Sequence, residues 1–218
     1  MNKYKAVIFD MDGVIFDSER CLLDIWLEVA KRDNIPNMLE VYLKCVGTSD
    51  VATKQITLDH FGADFPYDTY KMETSSIYHQ LYDHGKLPLK KGVRELLAYL
   101  KEANYLIGIA SSSRQSVIEL QVKEAGLFDY FQHITGGDKL KKSKPEPDIY
   151  LMACEGLGVK PSEAIAIEDS YNGIRSAYRA GMTPLMVPDL LPPDEEMKQL
   201  AHKIFPDLLE VLNFIMAN

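Results

Sequence analysis

The chain has 218 residues, of which 46% are hydrophobic and 26% charged, and this composition excludes a disordered, repetitive or fibrous protein. A formal net charge of -8 and an isoelectric point near 5.2 argue against nucleic acid or an anionic membrane as a partner. A small anionic molecule remains possible if a metal ion and a few lysines offset the charge locally.

The first predicted element is a buried strand over 7–9, which ends abruptly at Asp10 and Asp12, followed by Gly13. Open α/β sheets bind ligands at the carboxyl ends of their strands, so the two acids belong at the edge of a site. Ionised carboxylates this close repel each other, and a hard divalent cation such as Mg²⁺ would relieve the repulsion. With a metal, the first acid can act as a nucleophile and the second as a proton donor; otherwise the pair only shapes a turn.

The next seventy residues carry helical periodicity and no convincing strand. Apolar residues at helix spacing predict helices over 18–33, 38–46, 51–61 and 67–82, separated by glycine and proline residues. An all-helical stretch inserted after the first strand predicts a separate lid.

Strands and helices alternate in the remainder of the chain. Helices are predicted over 93–100, 117–125, 148–157, 173–180 and 208–215. Strands are predicted over 106–110, 131–135, 164–167, 184–187 and 203–205, with only a Pro-rich loop around 191–193 between the last two. The alternation predicts an α/β fold, with a parallel sheet and helices on both of its faces.

Polar residues follow four of the predicted strands at one shared edge of the sheet. They are Asp10 and Asp12, then Ser111 and Ser112, then Lys144 in a loop, then Glu168 and Asp169. Hydroxyl and backbone N–H groups can hold phosphate oxygens, a lysine can hold phosphate and nucleophile together, and an acid pair can complete a magnesium site. Taken singly, such residues are usually helix caps or part of a solvated loop. The ordered set favours a site for phosphoryl transfer.

The cysteines and the amino terminus bear on the compartment. Cys21, Cys45 and Cys154 have neither CxxC nor CxxH spacing, which predicts reduced core thiols rather than zinc ligands or disulfides. The first strand begins within a few residues of Met1, which leaves no room for a signal peptide, and no apolar run reaches membrane-spanning length. We therefore expect a cytoplasmic protein without a membrane partner.

The motifs at 10–18, 109–111, 144–148 and 167–170 resemble those of the haloacid dehalogenase superfamily, in its branch of β-phosphoglucomutases and phosphatases with a helical cap. The resemblance covers essentially the whole chain. It implies a Rossmann-like core made of 1–15 and 88–218, and an inserted α-helical cap domain over 16–87. We expect the hinges at 16–19 and 84–87.

The resemblance also implies a reaction and a cofactor. Asp10 would attack phosphorus to form an aspartyl-phosphate, and Asp12 would protonate the leaving oxygen and later activate water. Mg²⁺ would be bound by the Asp10 carboxylate, the Asp12 backbone carbonyl and Asp169, with Glu168 as direct or outer support. The phosphate would be held by Ser111, Ser112 and Lys144.

The cap sequence bears on the choice between hydrolase and mutase. β-Phosphoglucomutases that resemble this chain place a histidine shortly after the first motif and an arginine in a cap loop. Here Leu22 stands at the first position, and the loop 44–49 has no arginine. Arginine is the natural anchor for the second phosphate that a mutase must hold, so the sequence favours a phosphatase acting on a small phosphomonoester such as a sugar phosphate. A mutase is the alternative. Candidate substrate contacts are Thr48, Ser49 and Lys54.

A third interpretation is a non-catalytic phospho-acceptor or binding module. Response-regulator receivers also surround Mg²⁺ with acids, a hydroxyl and a lysine, but they are much shorter and carry the phosphorylated aspartate on a middle strand. The expected partner is a small phosphorylated metabolite and not nucleic acid, and a monomer is plausible.

Overall fold

A parallel β-sheet lies at the centre of the computed structural model, which describes residues 3–48 and 50–217. Over this described chain the sheet has six strands in the order β3-β2-β1-β4-β5-β6. The strands are β1 (Ala6–Phe9), β2 (Leu106–Ser111), β3 (His133–Gly136), β4 (Ala164–Glu168), β5 (Thr183–Met186) and β6 (Lys203–Ile204). In this doubly wound order ligands bind beyond the carboxyl ends where the order reverses, which is between β1 and β4.

Helices cover both faces of the sheet, so the predicted Rossmann-like α/β class is confirmed. The helices are α1 (Ser18–Arg32), α2 (Met38–Cys45), α3 (Asp50–Phe61), α4 (Tyr67–Tyr82), α5 (Val93–Glu102), α6 (Gln115–Glu124), α7 (Asp148–Leu157), α8 (Tyr171–Arg179), α9 (Glu195–Leu200) and α10 (Leu208–Met216). Val7 and Phe9 of β1 share one buried cluster with residues of α5, α6 and α10. Ala6 and Ile8 share another with α7 and α8, because successive side chains of a strand point to opposite faces.

The predicted helical insertion is formed by α1 to α4, which lie between β1 and α5 in the described chain. These helices have their own small cluster of buried side chains, which includes Trp26 and Tyr67. The chain enters and leaves the insertion through adjacent linkers, where the N–H of Asp17 donates to the carbonyl of Pro88 over 2.9 Å. The predicted boundaries after residues 15 and 87 fall in these linkers, and the division into two domains stays a prediction.

The segment between the last two strands differs from the predicted loop. Residues Glu195–Leu200 form the short helix α9, and Met197 is buried. Asp194 begins the helix, because its Oδ1 accepts the N–H of Met197 over 2.8 Å. Six residues are too few for helical periodicity to be visible in a sequence.

The three cysteines are free thiols, and Cys21 and Cys154 are buried. None of the helices in the described part of the chain combines the length and apolar character needed to cross a membrane.

Candidate active site

Asp10 lies at the carboxyl end of the central strand, directly after β1. Its N–H donates to the carbonyl of Ile167 over 2.9 Å, and the residue is only 7% exposed. Lys144 approaches from the loop before α7, with its Nζ 2.6 Å from Asp10 Oδ1. The same ammonium group donates to Glu168 Oε1 over 2.6 Å and to the carbonyl of Ala110 over 3.1 Å. Lys144 therefore binds Oδ1 of Asp10 and does not contact Oδ2.

Glu168 is fully buried and accepts hydrogen bonds on both carboxylate oxygens. Besides the bond from Lys144, its Oε1 accepts the hydroxyl of Tyr150 over 2.7 Å, and its Oε2 accepts the hydroxyl of Ser170 over 3.1 Å. Ser170 also caps α8, since its Oγ accepts the N–H of Gly173 over 3.1 Å. A Cβ on Gly173 would overlap the Glu168 carboxylate, so glycine allows the helix to pack over the acid.

The charges at this edge of the sheet are strongly coupled. Burial would lower the pKa of Lys144, but the carboxylates of Asp10 and Glu168 outweigh burial and raise it. Burial raises the pKa of Asp10 to about 8; Lys144 opposes this rise, and the charges of Glu168 and Asp12 add to it. Burial, followed by the charges of Glu168 and Asp10, also raises the pKa of Asp169 well above its usual range. One lysine does not balance these acids, whereas a bound divalent cation would.

The structure supports a metal site at the same place. Carboxylate oxygens of Asp10, Glu168 and Asp169 lie within 4.8 Å of one another, close enough to hold one ion. Hard, anionic oxygen donors fit Mg²⁺. Asp12 contributes no carboxylate oxygen to this group, which leaves its backbone carbonyl as the donor implied for it. Gly13 has a φ of +75°, and a Cβ there would overlap Asp169 Oδ2, so only glycine lets the turn pass this acid.

The carboxylate of Asp12 is held by two hydroxyl groups. Ser18 Oγ donates to Oδ1 over 2.7 Å, and Ser113 Oγ donates to Oδ2 over 3.0 Å. Ser111 is buried, and its Oγ accepts the N–H of Ser113 over 3.1 Å. Ser112 is exposed, so the hydroxyl that reaches Asp12 belongs to the residue after the predicted pair. The predicted contacts of Ser111 and Ser112 with phosphate stay predictions.

A cavity of about 470 Å³ opens beside Asp12 and extends between helices α1 to α4. Its walls combine apolar or aromatic surface with hydroxyl groups, contributed by Leu22, Trp26, Val41, Tyr42, Thr48, Thr53, Thr57, Tyr67 and Tyr78. Among the described lining residues the one lysine is Lys71, which lies 3.0 Å from Asp50 Oδ2, and none is an arginine. The cavity therefore suits an uncharged, hydroxyl-rich group better than a second phosphate.

The three predicted substrate contacts differ in their positions. Thr48 lines the cavity, and its Oγ1 lies 2.8 Å from Thr53 Oγ1. Lys54 is instead paired with Asp68 Oδ2 over 2.6 Å and does not line the cavity. Ser49 lies outside the described residues.

Four residues around Asp10 and Asp12 were not predicted as site residues, namely Ser18, Ser113, Tyr150 and Glu19. Ser113 belongs to a run of three serines, so it was as strong a candidate as Ser112. Glu19 lines the cavity one residue after Ser18, within the segment predicted as a hinge. Nothing in the sequence distinguishes Tyr150 from an ordinary core aromatic.

The model of the family described as "Haloacid dehalogenase-like hydrolase" matches residues 7–187 of the chain. This range includes all of the polar groups described around Asp10.

Individual relatives have both phosphatase and mutase names. The chain is 31% identical over 198 residues to Hexitol phosphatase B of Escherichia coli, covering 84% of this chain and 83% of the relative. It is 33% identical over 186 residues to the β-phosphoglucomutase of Bacillus subtilis, covering 82% and 80%. The crystal structure of β-phosphoglucomutase from Clostridium difficile is similar with a TM-score of 0.71 at 25% identity, covering 99% of this chain and 100% of that chain.

Proposed function

Because the chain belongs to the haloacid dehalogenase-like hydrolases, we propose that it is a magnesium-dependent phosphatase that hydrolyses a sugar phosphate or a related small phosphomonoester. The observation that carries this proposal is the arrangement of the two acids. Asp10 is buried against Lys144, and Asp12 is held by two hydroxyl groups beside a cavity of substrate size.

The first half of the proposed reaction transfers the phosphoryl group to Asp10. Its carboxylate oxygen attacks phosphorus, the bond from phosphorus to the leaving oxygen breaks, and Asp12 donates a proton to that oxygen. Hydrogen bonds from Ser18 and Ser113 hold Asp12 in the orientation that this transfer needs. Lys144 keeps Asp10 in place and offsets negative charge on the phosphoryl oxygens. The expected phosphate contacts of Ser111 and Ser112 would also offset that charge.

In the second half, water hydrolyses the aspartyl-phosphate. Asp12 is now the base: it removes a proton from water, which attacks phosphorus, and the bond from phosphorus to the Asp10 oxygen breaks, which releases inorganic phosphate and returns the Asp10 carboxylate. Mg²⁺ would be held by Asp10, Asp169, the backbone carbonyl of Asp12 and, directly or through water, Glu168, and it would neutralise charge on the phosphoryl group. The helical segment 16–87 is proposed to act as a cap domain that excludes water during the first transfer.

A phosphoglucomutase is the second candidate, because the chain is 33% identical to one. A mutase must bind a second phosphate while its intermediate reorients. In the described lining of the cavity the one lysine is paired with Asp50, and arginine is absent. This lining supports the phosphatase over the mutase.

The decisive experiment measures release of inorganic phosphate from a panel of phosphomonoesters, with and without Mg²⁺. The panel contains a hexitol phosphate, 2-deoxyglucose 6-phosphate, phosphoglycolate and β-glucose 1-phosphate. We expect magnesium-dependent release that falls by about 10³-fold or more in Asp10→Asn, since the nucleophile is lost. Asp64→Asn, the same change at an exposed position, should leave the rate unchanged.

The β-glucose 1-phosphate sample is also scored for glucose 6-phosphate, with a trace of the bisphosphate present. Isomerisation without net release of phosphate would make the protein a mutase. Equal release by wild type and Asp10→Asn would refute the proposed nucleophile.

A further inference from the structure

Asp189 is a buried acid at the same edge of the sheet, three residues after β5, and it has no role in the reaction proposed above. Its side chain is only 4% exposed. Oδ1 accepts a hydrogen bond from Lys90 Nζ over 2.7 Å. Oδ2 is buried and has no hydrogen-bond partner among the described residues. An unpaired buried carboxylate oxygen is costly, so its persistence calls for a specific explanation.

The unpaired oxygen lies near Asp169, one of the acids of the proposed metal site. A Cβ built on Gly13 would overlap Asp169 Oδ2 and would lie 3.4 Å from Asp189 Oδ2, so both oxygens lie against this glycine. Asp189 therefore belongs to the group of acids around Asp10, although it is not one of the three that could hold an ion directly.

Lys90 fixes the direction in which Asp189 points. Its Nζ lies between Asp189 Oδ1 and Asp17 Oδ1, at 2.7 and 3.0 Å, and it is half-buried. Because the ammonium group occupies Oδ1, the carboxylate can offer only Oδ2 toward Asp169. The hydrogen bond from Lys90 therefore fixes the orientation of the Asp189 carboxylate and leaves Oδ2 as the free acceptor.

We propose that Asp189 is a positioning residue for the cation, whose Oδ2 accepts a hydrogen bond from water in the hydration shell of Mg²⁺ bound at Asp10 and Asp169. Mg²⁺ in proteins usually keeps several of its waters, and such water needs acceptors. Residues that hold the outer shell of a metal typically change its affinity by about 10- to 100-fold. This inference rests on the proposed function, because it requires that Mg²⁺ binds at the acids.

The test is direct binding of Mg²⁺ to the whole protein without substrate, by isothermal titration calorimetry. In Asp189→Asn, the amide oxygen should face Lys90, which leaves the amide N–H groups pointing at Asp169 in place of an acceptor. We expect the dissociation constant to rise about 10- to 100-fold. Asp17→Asn is the matched control, because Asp17 contacts the same lysine but is not one of the acids nearest to Gly13, and it should stay within about twofold of wild type.

The outcomes separate the two proposals. Asp189→Asn that binds Mg²⁺ within about twofold of wild type would overturn the role of Asp189 and leave the proposed function intact. Wild type that binds no Mg²⁺ would overturn both. The magnesium-induced rise in Tm gives a second readout, and the Tm of each metal-free variant shows that it is folded.

Discussion

Glu19 is the acid whose position bears most directly on substrate choice. It lies in the first turn of α1 and lines the cavity beside Asp12. Burial, followed by the charges of Asp12 and Asp189, raises the pKa of Glu19 to about 7, while a hydrogen bond with Tyr42 opposes the rise. A desolvated carboxyl group in a wall made mostly of apolar and hydroxyl side chains is well suited to bind a hydroxyl group of the leaving alcohol.

We predict that Glu19→Ala lowers kcat/KM for a sugar or hexitol phosphate by about 10-fold or more, because a hydrogen bond to a charged group contributes about 1.5–3 kcal/mol. Ethyl phosphate has no further hydroxyl group for Glu19 to bind, so its hydrolysis should change little. Glu28→Ala, at an exposed position of the same helix, is the control. Equal losses with both substrates would contradict a role in specificity and indicate general damage to the site.

The sequence allowed the main residues of the candidate site to be predicted because they all follow parallel strands. Asp10, Lys144 and Glu168 meet for that reason, although they are far apart in the chain. The backbone path of the turn after β2 decides which serine hydroxyl faces Asp12, and that path is not visible in a run of three serines. Tyr150 could not be predicted, because a tyrosine that hydrogen-bonds to a buried acid and one that only packs in the core occupy the same positions in a helical sequence pattern.

At the scale of elements, one hydrogen bond joins the helical insertion to the start of α8. Asn172 Nδ2 donates to the carbonyl of Gly47, in the loop after α2, over 2.8 Å. Arg175 orients the amide by donating to Asn172 Oδ1 over 3.0 Å. Because α8 begins just after Glu168 and Asp169, this bond links the insertion to the acids, and we expect it to favour the closed position of the proposed cap domain.

We predict that Asn172→Ala raises KM by about 2- to 10-fold, the value of one hydrogen bond of about 0.5–1.5 kcal/mol, because the closed arrangement becomes less populated. Hydrogen exchange at the amides of 46–48 should become faster in the free enzyme. Asn213→Ala, on α10, serves as the control. Unchanged exchange at 46–48 would show that this bond does not hold the insertion closed.

Elements were predictable where periodicity extends over two or more helical turns or along a buried strand, as in α1, α5 and β4. Helix α9 was missed because it is short and its one buried anchor, Met197, gives no period. The sheet order depends on which strands pair in space, and the alternation of strands and helices restricts this order without determining it.

At the scale of the whole molecule, the site is a local excess of buried negative charge. Lys144 and Lys90 lie among Asp10, Asp12, Glu19, Glu168, Asp169 and Asp189. Folding without a cation therefore brings acids together that would be apart in the unfolded chain. Three of them respond by holding protons more tightly, namely Asp10, Glu19 and Asp169.

These three raised pKa values predict how stability depends on pH. A carboxyl group with a raised pKa binds more protons in the folded chain, so the free energy of unfolding falls as pH rises from its ordinary pKa to its folded pKa. Acids outside the site whose pKa is lowered, such as the partly exposed Glu163 and Asp207, have completed their contribution to stability above about pH 5. The window from pH 5.5 to 8 therefore reports on the buried acids.

We predict that the Tm of the metal-free protein falls between pH 5.5 and 8. Each acid that titrates contributes up to about 1.4 kcal/mol per pH unit, or about 3–6 °C for a chain of this size. Saturating Mg²⁺ should raise Tm more at pH 8 than at pH 5.5, because the ion binds the ionised acids and removes the penalty that grows with pH. Calorimetric unfolding with and without a chelator measures both effects.

The variant Asp169→Asn lacks one titrating acid and one proposed metal ligand. Its Tm should therefore fall less steeply with pH, and Mg²⁺ should raise its Tm less than that of wild type. A metal-free Tm that rises from pH 5.5 to 8 would contradict the proposed excess of negative charge. If the two lysines already neutralised the acids, the folded chain would not bind extra protons.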